Sequence, residues 1–445
     1  MLIMLGSISC AADPDGSGGP ARAATETTPT TGVDAKAETT SASGQTAAQP
    51  ASVPDDWPRW GITHTQYSAD NHEGHVSDDA VGLLGRIPIV QNQHIMGFGA
   101  GNPEPSPGKY KFDDLDSRLS IMDRSGAHRV ITLCCAPDWM KGGDPGRTDW
   151  DKLTVAPTPD HFDDFADLAA AVAKRYPKVR YYMVWNEFKG FWPDINSKAD
   201  VEGYTDLYNK VYTKLKAVDP GIRVGGPYIP INSHKSRGGS DLKGDWGVVD
   251  EHSLDAVEYW LKHKKGADFI VVDGASITEE HETLPDEFGA LGKLGAVTEW
   301  LRDKSGGLLV WWAEWYIEPE GVHWTESHRL AVRAVSMMEF ATSGATTALY
   351  WSPQTMKSGD CPGCLWNPGN GSPLPTIDLI DGFVKWFPAN VKLEPVTSSN
   401  PKVRVLAQQR ELLMVNTTDE PVTTTVDGKK VELRPYQVKW SSRAA

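Results

Sequence analysis

From Trp57 onward the chain alternates short β-forming runs with amphipathic or alanine-rich helical stretches, and it does so eight times. The β-forming runs lie at residues 59–65, 95–99, 129–135, 179–186, 223–228, 269–272, 308–314 and 346–351. They read as apolar runs rather than as alternations, the pattern of strands covered on both faces. The stretch FDDFADLAAAVAKRY (162–176) opens acidic and closes basic, as the helix dipole favours. Residues 204–220 place Tyr204, Leu207, Tyr208, Val211, Tyr212 and Leu215 at spacings of three and four, and the pattern stops at Asp219 before Pro220. Helices also fit 253–264, 285–304 and 326–343. Strand then helix, repeated eight times, predicts an α/β fold of the parallel (β/α)8 TIM-barrel type. A doubly wound open sheet is the alternative. It would want a glycine-rich phosphate loop after an early strand, and no GxGxxG stands there.

The barrel pattern occupies residues 54–394, and from 395 to 445 the texture changes. KVRVLAQQ, LLMVNTT, VTTTVDG and KVELRPYQVKW follow one another with no helix between them. They predict three to five antiparallel strands in a small C-terminal β-sandwich packed on the barrel, with Asp427 and Gly428 as a hairpin turn. At the other end, the apolar MLIMLGSIS leads into Cys10, and residues 11–53 are rich in Ala, Thr, Ser and Gly. The first ten residues resemble a bacterial lipoprotein signal, which implies export and a membrane tether through Cys10. Residues 11–53 hold too few large apolar side chains to offset ordering entropy, so a disordered linker is expected. The expected location is extracellular or at the cell surface.

Charge narrows the partners. A net charge of −15 and a pI near 5.3 argue against nucleic acid, which needs clustered Lys and Arg. No apolar run reaches the roughly 18 residues of a transmembrane helix. Of the five cysteines, Cys361 and Cys364 in CPGC read as a small disulfide loop in an exported chain, with a zinc half-site as the alternative. Cys134 and Cys135 read as buried thiols on opposite faces of a strand. DNHEGH (70–75) gathers two His, an Asp and a Glu, but lacks HExxH spacing and reads as a solvated polar loop. No metal and no cofactor is expected.

Two runs break the apolar rule in the same way. YYMVW ends on Asn186 and Glu187, and LLVWWA ends on Glu314, each followed by aromatics. A carboxylate among tryptophans is costly unless it is paired or used. In a barrel the carboxyl ends of the strands build the active site. Glu187 on the fourth strand and Glu314 on the seventh are therefore a pair of carboxylates at one mouth, the arrangement that glycoside hydrolysis needs. The 17 tryptophans add platforms for the apolar face of a sugar ring. Other candidates for substrate contact end neighbouring strands: His64 in GITHTQY, Tyr228 in GGPYIP, Asp273 in VVDGAS and Trp351 in LYWSP. Trp139 and Trp192 are loop candidates for stacking. Each has a structural alternative: His64 a satisfied core histidine, Asp273 and Asn186 caps, the tryptophans core.

The residues VWNE (184–187), WWAEW (311–315) and NPEPSPGKYKFDDLD (102–116) resemble clan A glycoside hydrolases, and within the clan family 39, which holds β-xylosidases, α-L-iduronidases and exopolysaccharide hydrolases. The resemblance covers roughly residues 57 to 440. Phe188 stands where many relatives have Pro, a departure that bears on specificity. The resemblance implies a retaining glycoside hydrolase, with Glu187 as general acid/base, Glu314 as nucleophile and Asn186 on the sugar 2-hydroxyl. The two carboxyls of such a site sit about 5–5.5 Å apart. It also implies Trp351 under the sugar. β-Xyloside hydrolysis is the leading expectation. The alternatives are an endo-acting or arabinose-type glycosidase of cell-envelope polysaccharide, and a non-catalytic carbohydrate-binding barrel. A metal-dependent barrel hydrolase would need several strand-end histidines, and only His64 qualifies.

Overall fold

The computed structural model describes residues 52–54, 57–69, 75–192, 199–319, 321–351, 353–354, 361 and 363–443. Cys10, nearly all of the 11–53 segment and residues 70–74 of DNHEGH lie outside these residues. Eight parallel strands close a barrel: β1 (Trp60–Thr63), β2 (Val90–His94), β3 (His128–Leu133), β4 (Tyr181–Val184), β5 (Arg223–Pro230), β6 (Phe269–Ala275), β7 (Leu309–Tyr316) and β8 (Thr347–Tyr350). A helix follows each strand: α1 (His75–Leu84), α2 (Asp113–Arg124), α3 (Phe162–Arg175), α4 (Val201–Val218), α5 (Glu251–His263), α6 (Gly292–Lys304), α7 (Glu326–Ser343) and α8 (Pro375–Trp386). The closure pairs β1 with both β2 and β8.

The second strand lies five residues earlier than expected, because QNQH carries no apolar signal. Gln91, Asn92, Gln93 and His94 are nonetheless fully buried. Most of their polarity is satisfied laterally, His94 Nδ1 being the exception: Asn92 donates to Thr63 and accepts from Thr132, and Gln93 accepts from Arg118 of α2. Ile95 and Met96 follow as the turn out of the strand.

Two apolar layers hold the barrel. The outer one lies between strands and helices and includes Ile62, Leu84, Phe165, Leu207 and Trp312. The inner one fills the amino end of the barrel with Val90, Val130, Met183, Phe269, Val271, Trp311 and Leu349. Trp57, just before β1, plugs that end. Its ring lies against Tyr181 and Trp311, with centroids 4.8 and 5.6 Å away, and its indole N–H donates to Thr347 at 2.9 Å. The amino end is thus packed shut, which leaves chemistry to the carboxyl end.

A three-stranded antiparallel excursion (Ser233–His234, Gly239–Gly244 and Gly247–Asp250) follows β5. The C-terminal β-domain has six strands: β9 (Leu393–Glu394), β10 (Val403–Gln408), β11 (Glu411–Asn416), β12 (Val422–Val426), β13 (Lys429–Leu433) and β14 (Val438–Ser442). β9, β10, β11 and β14 make one sheet, and β12 pairs with β13 across Asp427 and Gly428. Both turn residues have positive φ, 50° and 75°, the conformation of a primed hairpin turn. Trp440 docks this domain on α8, edge-on to Phe383 at 5.6 Å. A Cβ on Gly382 would meet the Trp440 ring at 2.4 Å, so the small residue makes room for the indole.

The cysteines pair. Cys361 joins Cys364. Cys134 joins its neighbour Cys135, which corrects the expectation of two buried thiols on opposite faces. The pair lies just past β3, where strand alternation no longer separates the side chains.

Candidate active site

At the carboxyl ends of β4 to β7 the backbone departs from regular strand three times. Trp185, Glu187 and Phe188, immediately after β4, all have positive φ, between 49° and 68°. None is glycine, and such conformations persist only where the surroundings impose them. Phe188 is held by Tyr204 of α4, with centroids 4.3 Å apart, and the Trp185 indole donates to the Lys189 carbonyl at 2.7 Å. Secondly, β5 bulges at Tyr228, which has φ 53°. Thirdly, β7 bulges between Trp312 and Glu314 and brings Glu314 into register with Asp273 of β6. Bulges re-aim side chains next to functional sites.

The result is one acidic cluster. The Tyr228 hydroxyl donates to Glu314 Oε1 at 2.7 Å, and the Tyr316 hydroxyl donates to Oε2. Asp273 is hydrogen-bonded to Glu187. Lys189 forms an ion pair with Glu187. Asn186 reaches Glu187 Oε2 at 3.4 Å and accepts from His94 Nε2 at 3.2 Å. Glu314, Asp273, Asn186 and His94 are all buried.

Burial and charge distribute the protons unevenly. Burial opposes the charge of Glu187, but the Lys189 ammonium and the Asp273 hydrogen bond hold its carboxyl below the usual range. Burial and the Glu187 charge push Glu314 up to about 8, against Lys189 and the two tyrosine hydroxyls. Burial and both glutamates raise Asp273 well above the carboxylate range, so Asp273 carries a proton and donates it to Glu187. Its other oxygen, Oδ1, is buried with no hydrogen-bond partner. Burial lowers His94 to about 4, which keeps the ring neutral.

Of the residues read from sequence, Glu187, Glu314, Asn186, Tyr228 and Asp273 come together here. Trp351 joins through aromatic contact: it meets Phe98 edge-on at 5.8 Å, and Phe98 lies on His94 at 4.2 Å. Trp192 is half-buried in the same turn as Lys189. Trp139 is buried in a short helix (Asp138–Lys141), where its indole donates to the Glu104 carbonyl at 2.9 Å. His64 is not brought to the carboxylates. Its two ring nitrogens meet Ser68 at 2.8 Å and Gln91 at 3.0 Å, and burial lowers it to about 3, so it is a satisfied core histidine. Lys189, Tyr316, His94 and Phe98 escaped sequence reading. Tyr316 had a signal, standing two residues past Glu314 on the same face of a strand. His94 would have been found had QNQH been placed as a strand.

Among the described residues, no group of His, Cys, Asp and Glu is arranged to hold a metal ion. No curated protein matches the sequence. Residues 401–441 match the family described as D-apionate lactonase, C-terminal immunoglobulin-like domain. Among solved structures, a monomeric β-xylosidase from Caulobacter crescentus CB15 aligns with TM-score 0.54 at 17% identity, covering 83% of this chain and 75% of that one. A glycoside hydrolase family 39 enzyme from Xanthomonas axonopodis pv. citri aligns with TM-score 0.55 at 18% identity, covering 82% and 73%. SrfJ from Salmonella typhimurium aligns with TM-score 0.58 at 12% identity, covering 86% and 88%. The chain is structurally similar to family 39 β-xylosidases and related clan A glycosidases, and at these identities the likeness is one of fold.

Proposed function

We propose that the chain is a retaining glycoside hydrolase, with Glu314 as nucleophile and Glu187 as general acid/base. The observation that supports this reading best is that both glutamates stand at the carboxyl ends of β4 and β7, each fixed by its own hydrogen bonds and near enough that the charge of Glu187 raises Glu314. Tyr228 and Tyr316 fix both oxygens of Glu314 and favour its anion. Glu314 attacks the anomeric carbon while Glu187 protonates the leaving oxygen. Water, deprotonated by Glu187, then releases the sugar.

In the free site the proton sits on the wrong partners for the first step. Glu187 is charged and paired with Lys189, while Asp273 and Glu314 are protonated. Substrate binding has to move Lys189 off Glu187. The Asp273 proton, already on a hydrogen bond to Glu187, then moves to Glu187 and supplies the acid, while Glu314 releases its own proton to solvent and is held as the anion by its two tyrosine donors. Asn186, fixed by neutral His94, faces the sugar hydroxyl. Trp351 and Trp192 supply stacking surface. A β-xyloside is the proposed substrate, and export with a tether through Cys10 is the proposed setting.

The match of residues 401–441 favours a second reading, lactone hydrolysis by the same carboxylates acting on water. One experiment separates the two. Wild type is assayed on aryl β- and α-glycosides, polysaccharides and sugar lactones, and Glu314→Ala and Glu187→Ala are assayed with azide. Rescue by azide that yields glycosyl azides of opposite anomeric configuration from the two variants supports the retaining roles. Turnover of lactones alone, without azide products, replaces glycoside hydrolysis by the second reading.

A further inference from the structure

A cavity of about 580 Å³ lies apart from the carboxylate cluster, between the barrel and the β-domain. Its barrel wall comes from the excursion after β5 (Asp245, Trp246) and from the segment after β6 (Asp286, Phe288). Its other wall is the start of β10, with Lys402 and Arg404. The volume falls in the range of small-molecule sites, about 300–1,000 Å³.

The walls are fixed before any ligand arrives. Asp286 Oδ1 accepts from the backbone N–H groups of Phe288 and Gly289, at 3.0 and 2.7 Å, which leaves Oδ2 for a ligand. Thr417 ties the facing turn by donating to the Lys402 carbonyl at 2.9 Å. Phe288 stands at the end of an aromatic series with His328 and Tyr436, whose rings stack at 4.0 Å across the junction of barrel and β-domain. The charges, by contrast, are free of ion pairs, although Arg404 bears at longer range on the half-buried Glu339. Among the described residues, Asp245, Asp286, Lys402 and Arg404 enter no salt bridge, and the Trp246 indole N–H makes no hydrogen bond.

This lining selects a ligand class. Two acids and two bases balance, so neither an anion nor a cation is preferred. A polyanion is further opposed by the net charge of −15. Exposed donors and acceptors around a floor formed by the largely buried Trp246 and Phe288 suit a neutral ligand with many hydroxyls and a small apolar face. We propose that this cleft is a second glycan-binding site, holding a short neutral oligosaccharide segment of a polymer whose cleavable bond lies in the carboxylate cluster. The proposal rests on the glycan-directed reading above for its ligand class.

The test uses the full chain carrying Glu314→Gln, so that binding is read without turnover and does not depend on hydrolysis. Affinity electrophoresis through gels of xylan, arabinoxylan, arabinogalactan, hydroxyethylcellulose and polygalacturonate compares this chain with one also carrying Asp245→Ala and Arg404→Ala. Both residues are exposed at the rim, so the fold should be retained, and matched melting temperatures check it. The expected result is retardation by at least one neutral polymer, weakened at least tenfold in the double variant, with none by polygalacturonate. The proposal is overturned if no neutral polymer retards the chain, if the double variant is retarded equally, or if polygalacturonate alone retards it.

Discussion

Replacing Lys189 by methionine tests the proposed division of charge between the two glutamates. The substitution keeps the side chain's length and removes its charge. Lys189 contacts Glu187 directly and also bears on Glu314. Two unit charges about 4 Å apart attract by about 4 kcal/mol at an effective dielectric of about 20. The lysine side chain is 35% exposed and that of Glu187 14%, so solvent screens part of this. About 1–3 kcal/mol should survive, which raises Glu187 by about 1–2 pK units. Glu314 should rise less, because the ammonium contacts it only at longer range. The kcat/KM profile of an aryl glycoside reports the groups of the free enzyme, so Glu187, held low, sets the acidic limb and Glu314, at about 8, sets the alkaline one. Removing the ammonium therefore moves both limbs up, the acidic one further, and the bell narrows. Lys189→Arg should restore the wild-type width. A bell that broadens, or an acidic limb that does not move, would refute the placement of the Lys189 charge on Glu187 and with it the low carboxyl at that position.

Other consequences follow from single contacts. Tyr228→Phe removes one donor from Glu314 and leaves the ring in place. A hydrogen bond to a charged group is worth about 1.5–3 kcal/mol, so kcat should fall about 10- to 150-fold with KM little changed. Unchanged kcat would mean that Tyr228 does not serve the nucleophile. Trp57→Ala empties the amino end of the barrel and should cost about 3–5 kcal/mol in urea unfolding. A loss below about 1 kcal/mol would show that the plug is dispensable. Stability should also fall with acid before the carboxylates titrate. His64 and His94 are depressed to about 3 and about 4 in the fold, so the unfolded chain binds more protons below about pH 6.5. Their contribution is fully present above that pH and is lost as pH falls towards those values, at up to about 1.4 kcal/mol per pH unit for each histidine. A urea midpoint that does not fall between pH 7 and pH 5 would contradict it.

The scaffold was legible where its strands bury apolar side chains on both faces. Seven of the eight barrel strands announce themselves in this way, and so do helices α3 to α7. β2 did not, because Gln91, Asn92, Gln93 and His94 are buried by hydrogen bonding, which leaves no hydrophobic pattern to read. The excursion after β5 was hidden by its composition: Gly239–Gly244 and Gly247–Asp250 are half glycine and charge. At the site, the two glutamates were legible because a charge at the end of a tryptophan-rich run is anomalous. Lys189 was not, since a lysine two residues into a turn reads as solvated until the fold places it on Glu187.

The local departures at the site share one cause. A regular strand alternates its side chains, so neighbouring strands present the same parity to the barrel mouth. That arrangement would set Glu314 and Tyr228 by strand register alone. The bulge at Tyr228 and the bulge before Glu314 each insert one residue and break this parity, and the 2.7 Å bond between them depends on both. The positive-φ residues Trp185, Glu187 and Phe188 do the same for Glu187, and Phe188 is held by Tyr204. Three breaks of local preference, after β4 and in β5 and β7, all at the carboxyl end and all carrying a residue of the acidic site, are hard to account for as scaffold. A barrel selected for stability alone would have removed them, since each costs free energy that the regular strand does not. The amino end shows what that looks like. Trp57, Tyr181, Phe269 and Trp311 pack there ring against ring, with no titratable carboxylate among them.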